Sequence, residues 1–346
     1  MGDGKSRYVF LDYLRVIAIS MIIFDHLGML RNPEWYIGKV IENIICAPLH
    51  IISYFGAFGV VLFFLISGFL FANSVEKNTE SKVKFLWNRF IRIYLPLLVS
   101  FITFYVFQLI ADGIAPNAGY WRQFSIVQWI NSATLLGYFN HVGDVINGTT
   151  WYLIPTLLFY ILGTFVVTKR ENKSKSIIYL FLAMLLGYGI DYVVKIPVLS
   201  TVISNSWWFM FLIMGMLIYY TYWHLIDIKS MVVLSAVNYL LGLYGIHAYS
   251  RNYYSDEPYL VSAFYAVTLF GAALIWGEHF RENRFINRFS KLSFYIYLIH
   301  MTYGSLMLSV LEYRLVYTIA FLLVVVLIIL IAWGHEAVCR VVLKKL

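Results

Sequence analysis

The feature that most constrains this chain is a series of apolar stretches, each long enough to cross a lipid bilayer as a helix. A spanning helix needs about 20 mainly apolar residues, and ten stretches of the 346-residue sequence meet that requirement. They are residues 9–30, 54–74, 94–112, 149–168, 176–194, 205–223, 230–249, 258–279, 292–311 and 316–336. The sequence therefore predicts an all-α integral membrane protein with about ten transmembrane helices.

Composition excludes the soluble classes of protein. Hydrophobic residues make up 61% of the chain and charged residues only 13%, against roughly 25% charged residues in soluble domains. Such a chain has too little polar surface to cover a soluble fold. No zinc-ligand spacing and no basic face interleaved with aromatic residues occurs in the sequence. We therefore expect neither a metal site nor binding of nucleic acid.

The distribution of cations predicts the orientation of the helices, because Lys and Arg concentrate in cytoplasmic loops. With the amino terminus inside, the inner segments hold 19 of the 26 Lys and Arg residues, and the outer segments hold 6. This asymmetry predicts an even number of spans with both termini in the cytoplasm. The first apolar run is too long for a cleaved signal peptide. We expect a single membrane domain over residues 1–346, without an added soluble domain.

Four ionisable residues lie within the first predicted span: Asp12, Arg15, Asp25 and His26. Ionisable groups are costly inside a membrane helix and mark candidate functional sites. Arg15 and His26 are 11 residues apart, which places them on one helical face about 16 Å apart. Asp12 precedes Arg15 by three residues, so the two side chains can pair.

Each of these residues also has a structural interpretation. His26 is near the end of its span, where interfacial histidines occur. Asp12 lies near the start of the helix, where an acidic residue interacts favourably with the helix dipole. Asp25 points about 100° away from His26, so we predict a structural role for it.

A second polar cluster follows the second predicted span. Arg89 and Arg92 are three residues apart and share one helical face, and Pro96 permits a break before the third span continues. Guanidinium groups suit phosphate binding through paired hydrogen bonds. The alternative is that both arginines serve only to orient the helices.

Six short motifs resemble, in their order along the chain, those of the membrane-bound acyltransferase 3 family. They are residues 11–15 (LDYLR) with His26, 61–70 (VLFFLISGFL), 89–96 (RFIRIYLP), 151–153 (WYL), 208–216 (WFMFLIMGM) and 292–300 (LSFYIYLIH). Each motif is short and apolar, but their joint order extends over nearly the whole chain. The resemblance implies transfer of an acyl group, often acetyl, from a cytoplasmic coenzyme A thioester to a carbohydrate hydroxyl.

Together, the family and the placement of polar residues suggest a catalytic set. His26 is the expected general base for the acceptor hydroxyl, with an acyl-imidazole intermediate on the same residue as the open alternative. Arg15 is expected to polarise the acyl carbonyl or to line the route of the pantetheine arm. Asp12 is expected to orient Arg15.

The remaining motif residues are expected to bind the two substrates. The expected donor-binding residues are Arg89, Arg92 and Tyr94. The expected acceptor-binding residues are Trp151, Ser67 and His300. For Ser67 the favoured alternative is close helix packing beside Gly68, and for Trp151 it is anchoring at the membrane interface.

The expected ligands are an acyl-CoA donor, a polysaccharide or lipid-linked glycan acceptor and the lipids of the cell membrane, with no permanently bound cofactor. We also expect that the chain can form a homodimer. The main alternative function is a transporter or glycan flippase in which Asp12, Arg15 and His26 form a polar pathway. The paired arginines favour the enzyme, since a flippase does not need them. A weaker alternative is a non-catalytic membrane assembly partner.

Overall fold

Every regular element in the part of the chain that the computed structural model describes is a helix, which confirms the all-α prediction. That part comprises residues 8–51, 55–114, 124–140, 145–169, 172–249 and 256–344. Both chain ends, residues 1–7 and 345–346, lie outside it, so their cytoplasmic placement stays a prediction.

The α-helices of the described residues are numbered in chain order. They are α1 (Val9–Phe24), α2 (Tyr36–Ile41), α3 (Phe55–Lys77), α4 (Lys82–Ile114), α5 (Ile126–Thr134), α6 (Gly137–Asn140), α7 (Leu153–Val166), α8 (Lys173–Val194), α9 (Pro197–Ser204), α10 (Phe209–Tyr222), α11 (Ile228–Tyr249), α12 (Asp256–Ile275), α13 (Arg284–Leu311) and α14 (Tyr317–Leu343). A π-helical turn, Asp25–Met29, extends α1, and 3₁₀ turns precede α7 (Gly148–Tyr152) and α10 (Asn205–Trp208).

Eight helical segments of the described residues are long and apolar enough to cross a membrane. They are Phe55–Lys77, Lys82–Ile110, Gly148–Val166, Lys173–Val194, Pro197–Tyr222, Ile228–Tyr249, Arg284–Leu311 and Tyr317–Leu343. The other two predicted spans fall on α1 with its π-helical turn and on α12, whose apolar part is Tyr259–Ile275. Each of the ten predicted stretches therefore coincides with a helix. That all ten of these helices cross the membrane stays a prediction.

Helix α4 does not break at Pro96, contrary to the sequence interpretation. It continues as one helix from Lys82 to Ile114. A proline removes one backbone hydrogen bond from a helix, and membrane helices tolerate this loss when neighbouring elements support them. Leu97 and Ser100, just beyond the proline, are buried, so packing on the rest of the bundle supports the helix at this point.

Helix α3 lies at the centre of the bundle, against α1, α10 and α12. A Cβ atom at Gly68 would lie 1.9 Å from the Leu212 carbonyl oxygen, and one at Gly215 would lie 2.2 Å from that of Leu65. Only glycine permits backbones to approach so closely, a common device between membrane helices. The close packing expected beside Ser67 is therefore present at Gly68.

Helices α1 and α13 lie side by side and position the candidate site. The Ser290 hydroxyl donates to Asp12 Oδ1 at 2.7 Å, and further along both helices His26 lies 2.8 Å from His300. Because residue numbers rise in the same direction in both contacts, the two helices run parallel. A cavity beside this pair is thus lined by residues from opposite ends of the chain.

Candidate active site

His26 lies in the π-helical turn Asp25–Met29 that ends the first helix, and such turns are frequent at functional sites. Its Nδ1 is 2.8 Å from Nε2 of His300 on α13. The two ring planes differ by 11°, with centroids 5.1 Å apart. Nearly coplanar rings that touch through their nitrogens meet edge to edge, so this contact is an in-plane hydrogen bond and not a face-to-face stack.

The other ring nitrogen of His26 faces Asp25 and Gly56. Asp25 Oδ2 is 3.7 Å from His26 Nε2, which is too far for a hydrogen bond. A Cβ atom at Gly56 would lie 3.2 Å from this nitrogen and 2.3 Å from Asp25 Oδ2. The His26 side chain stays 21% exposed. One nitrogen of His26 therefore contacts His300, and the other lies against Asp25 and Gly56, where any side chain larger than glycine would overlap Asp25.

Asp25 shows where reasoning from helical periodicity failed. An ideal α-helix turns the side chain of Asp25 away from His26, which led to the structural interpretation. The carboxylate instead lies beside Nε2 of the histidine, and the side chain is only 2% exposed. The cause is local, since the backbone changes from α-helical to π-helical geometry at Asp25.

The predicted pairing of Asp12 and Arg15 is confirmed. Arg15 Nη1 donates to Asp12 Oδ1 at 3.3 Å, and the same oxygen accepts the hydrogen bond from Ser290 described above. Asp12 is buried, whereas the Arg15 side chain is 27% exposed. The carboxylate thus ties the arginine to α13 and leaves part of the guanidinium accessible.

A cavity of about 210 Å³ connects Arg15 with the arginine motif. We name it the inner cavity, and the one described below the outer cavity, after the orientation that the cation distribution predicts. Four residues that the sequence singled out line the inner cavity: Arg15, Ser67, Arg89 and Arg92. They come from α1, α3 and α4, so only the packing of these helices brings them together. The cavity is mainly apolar apart from these groups and the hydroxyls beside them.

Arg89 and Arg92 carry the positive charge at the inner cavity. Arg89 donates a hydrogen bond to the Ser74 hydroxyl, and its guanidinium lies 5.1 and 5.2 Å from the ring centroids of Phe85 and Tyr160. Within the part of the chain that the structure describes, neither Arg89 nor Arg92 forms an ion pair. Two cations that have no counter-charge among the described residues therefore face the same space.

The inner cavity is also lined by Tyr160 and by two tyrosines of the sequence motifs, Tyr152 and Tyr297, none of which was predicted as a site residue. The Tyr152 hydroxyl is 3.1 Å from Ser67 Oγ, and the Tyr297 hydroxyl donates to the Thr149 carbonyl. Their ring centroids are 5.6 Å apart. The sequence feature that could have indicated Tyr152 and Tyr297 is their place in the motifs, since Tyr152 follows Trp151 and Tyr297 precedes His300 by three residues.

An outer cavity of about 300 Å³ lies further along α13. Its lining consists of six polar side chains, five apolar side chains and one glycine: Arg31, Gln108, Asn147, Thr302, Ser305, Ser309, Phe104, Phe124, Ile146, Met301, Leu306 and Gly148. Arg31 donates to Ser309 at 2.9 Å and to Glu312 at 3.0 Å. Tyr297 lines the inner cavity and Met301 the outer one, so His300 lies between them on α13.

Five predicted site residues are not among the lining residues of either cavity: Asp12, His26, Tyr94, Trp151 and His300. Trp151 packs against Trp208 with ring centroids 4.7 Å apart, and Tyr94 packs against Phe90 at 4.8 Å. His300 is fully buried and contacts His26. The binding roles predicted for Tyr94, Trp151 and His300 stay predictions, as do the catalytic roles predicted for Asp12 and His26.

Comparison with known proteins finds sequence similarity over most of the chain. A sequence model of an acyltransferase domain matches residues 8–335, a range that contains every predicted site residue. An O-acetyl transferase of Shigella phage Sf6 is 25% identical over 321 residues, which cover 86% of this chain and 89% of the phage protein. No solved structure matches the chain.

Proposed function

Because this chain belongs to the acyltransferase 3 family, as its motifs predict, we propose that it transfers an acyl group from acyl-coenzyme A to a carbohydrate hydroxyl. The observation that carries the proposal is the inner cavity, where Arg15, Arg89 and Arg92 converge beside the helix pair that holds His26. The phage relative is an O-acetyl transferase, which supports acetyl as the group transferred.

The donor binds at the inner cavity in this proposal. Arg89 and Arg92 lack carboxylate partners among the described residues, so their forked guanidinium groups are available to phosphate oxygens. A volume of about 210 Å³ is below the range of 300–1,000 Å³ for pockets that enclose drug-sized ligands. The cavity therefore takes the thioester arm, and the nucleotide lies outside it at the arginines, on the cytoplasmic side.

The acceptor hydroxyl loses its proton to Nε2 of His26 while its oxygen attacks the thioester carbonyl carbon. Arg15, about 16 Å along the helix from His26, lines the path of the thioester arm in the inner cavity. The carbon–sulfur bond then breaks, the ester is released, and the proton on His26 neutralises the departing coenzyme A thiolate. An acyl-imidazole on His26 is the alternative route for the same overall transfer.

The acceptor approaches from the outer cavity. Its lining combines hydroxyl and amide groups with Phe104 and Phe124, and such a mixture suits a sugar, which presents hydroxyls at its edge and C–H groups on its face. Placing this cavity outside agrees with the cation distribution, which favours an amino terminus in the cytoplasm. We propose the cell membrane as the location of the protein.

The decisive experiment separates this enzyme from a transporter. Purified protein is incubated with labelled acetyl-CoA and a panel of candidate glycans. We expect label in one glycan and an equal amount of free coenzyme A. Translocation of glycan across proteoliposomes, without binding of acetyl-CoA or release of coenzyme A, would instead establish the transporter.

A further inference from the structure

We propose that His300 is a positioning residue that determines which nitrogen of His26 carries the proton. The proposal rests on the proposed function, in which His26 is the base. Its basis is an unbroken line of contacts from the Tyr297 carbonyl through His300 to His26. His300 then acts through His26 and does not touch the acceptor.

The first contact determines the tautomer of His300. Its Nδ1 lies 2.7 Å from the Tyr297 carbonyl oxygen. A carbonyl oxygen can only accept a hydrogen bond, so Nδ1 of His300 must carry a proton. In a neutral imidazole the second nitrogen is then an acceptor. Nε2 of His300 therefore presents a lone pair.

The second contact transfers this constraint to His26. Nε2 of His300 and Nδ1 of His26 are 2.8 Å apart and lie in nearly one plane. Two lone pairs at that distance would repel each other, so Nδ1 of His26 carries the proton. This N–H group donates a hydrogen bond to Nε2 of His300. Nε2 of His26 then bears the lone pair, on the side of Asp25 and Gly56, and the His26 side chain is partly exposed. This is the protonation state that a general base needs.

Two other arrangements conflict with the geometry. A doubly protonated His300 would be a buried cation, and burial of an unpaired charge is costly. His300 is fully buried, and its hydrogen-bonding neighbours among the described residues are the backbone carbonyls of Tyr297 and Ile296 and the His26 imidazole. If His26 instead carried its proton on Nε2, the N–H group would face Asp25 Oδ2 at 3.7 Å. Either the hydrogen bond between His26 and His300 or the one between His300 and Tyr297 would then be lost.

Asp25 complements the constraint once the reaction begins. When His26 takes the acceptor proton at Nε2, the resulting N–H points toward a carboxylate oxygen 3.7 Å away. A negative charge at that distance stabilises the imidazolium. His300 thus sets the resting state of the base, and Asp25 favours the protonated state that follows.

The supporting carbonyl is held firmly. The Tyr297 hydroxyl donates to the Thr149 carbonyl, and Asn147 Nδ2 donates to the Leu298 carbonyl at 2.7 Å. Both bonds connect α13 to the segment before α7. They restrain the turn that presents the Tyr297 carbonyl to His300.

A matched pair of variants separates the two nitrogens of His300. The amide nitrogen of His300→Asn can replace Nδ1 and keep the bond to Tyr297, but nothing then reaches His26. The amide oxygen of His300→Gln extends one bond further and can replace Nε2 as the acceptor. We expect the Asn variant to lose about 10- to 100-fold in kcat, as when a partner that orients a functional histidine is removed. We expect the Gln variant to lose less than 10-fold, and both to bind acetyl-CoA normally.

Nitrogen NMR of histidine-labelled protein measures the tautomer without any reaction. The spectrum of a His26→Asn variant assigns the His26 signals among those of the eight histidines. We expect His26 to be protonated at Nδ1 in the parent and in His300→Gln, and to shift toward Nε2 protonation in His300→Asn. An unchanged His26 tautomer in the Asn variant, or equal kcat for the two variants, overturns the proposal.

His335→Asn is the control for loss of a buried histidine. His335 is buried on α14 and lies 2.7 Å from the Thr103 hydroxyl, and it contacts neither cavity. We expect its variant to keep the His26 tautomer and kcat per folded molecule. If the parent transfers no acyl group, the proposed function fails, and if His26→Ala leaves transfer intact, only the role of His26 as the base fails. In both cases the NMR result still decides whether His300 sets the tautomer.

Discussion

The inner and outer cavities lie along the same helix, α13, but their electrostatic character differs. Three arginines line the inner cavity, and among the described residues two of them, Arg89 and Arg92, have no carboxylate partner. The outer cavity has one arginine, Arg31, whose guanidinium donates to Glu312 at 3.0 Å. Its other polar groups are hydroxyls and amides.

This difference shows how one helix bundle can serve two chemically unlike substrates. Uncompensated guanidinium groups favour an anionic ligand such as a polyphosphate, and compensated charge with neutral hydrogen-bonding groups favours a neutral polyhydroxyl ligand. The histidine pair lies where α13 passes from one cavity to the other. The following predictions test that division, beginning with the largest expected effect.

Removal of the base should abolish transfer and leave both cavities intact. We expect His26→Ala and His26→Gln to lower acyl transfer by about 100- to 10,000-fold, since glutamine keeps polarity but cannot take up a proton near neutral pH. Binding of acetyl-CoA, measured by calorimetry, should be unchanged. Near-normal transfer by the Gln variant would contradict general-base catalysis by His26.

Removal of the inner arginines should affect the donor alone. We expect the double variant Arg89→Ala, Arg92→Ala to bind acetyl-CoA at least 100-fold more weakly, because each charge-assisted hydrogen bond contributes about 1.5–3 kcal/mol. Lysine at both positions should restore only part of the affinity. Arg31→Ala is the control from the outer cavity and should leave donor affinity unchanged. Equal losses of acetyl-CoA affinity in the double variant and in Arg31→Ala would contradict the assignment of the donor to the inner cavity.

Two serines of α13 allow the same substitution in each cavity. Ser293 lines the inner cavity and Ser305 the outer one. We expect Ser305→Leu to raise the KM for the glycan about 10-fold, a cost of about 1.4 kcal/mol, with unchanged affinity for acetyl-CoA. We expect Ser293→Leu to weaken the binding of acetyl-CoA and to leave the KM for the glycan unchanged. Steady-state kinetics with each substrate varied in turn distinguishes the two outcomes from a general loss of folding.

Substitution of Gly56 tests whether the close approach of α3 to Nε2 of His26 is needed for activity. A methyl group there would lie 2.3 Å from Asp25 Oδ2, so we expect Gly56→Ala to lower kcat about 10-fold and stability by about 1–3 kcal/mol. Gly189→Ala is the matched control, because its Cβ would meet no heavy atom of the described residues within 4 Å. Thermal unfolding in detergent and kcat should both be near the parent values for the control.

Orientation can be tested without any effect on activity. A cysteine introduced at the exposed position Val127 should react with an impermeant maleimide added outside cells, and one at exposed Glu282 should not. Background should be small, since both native cysteines are buried. Burial, with the nearby carboxylates of Glu42 and Asp25, raises the pKa of Cys46 to about 11, so its reactive thiolate is scarce at neutral pH and increases only in alkali. The reverse labelling pattern would place the inner cavity outside.

The local features of this protein were determined by its sequence alone. Ten apolar stretches of helical length each coincide with a helix, because the bilayer requires every backbone group to be bonded within its own segment. The Asp12–Arg15 pair follows in the same way, since residues three apart in a helix are neighbours. These predictions depend only on the geometry of a single helix.

Only the tertiary structure decided which helices meet. His26 and His300 are separated by most of the chain, and Arg15 reaches the same cavity as Arg89 because α1 and α4 both border it. Apolar patterning does not select partners among membrane helices, since lipid is as apolar as any helix face. The choice comes from close packing at a few small residues, such as Gly68 and Gly215. The π-helical turn that brings Asp25 beside His26 also departs from the ideal periodicity on which sequence reasoning depends.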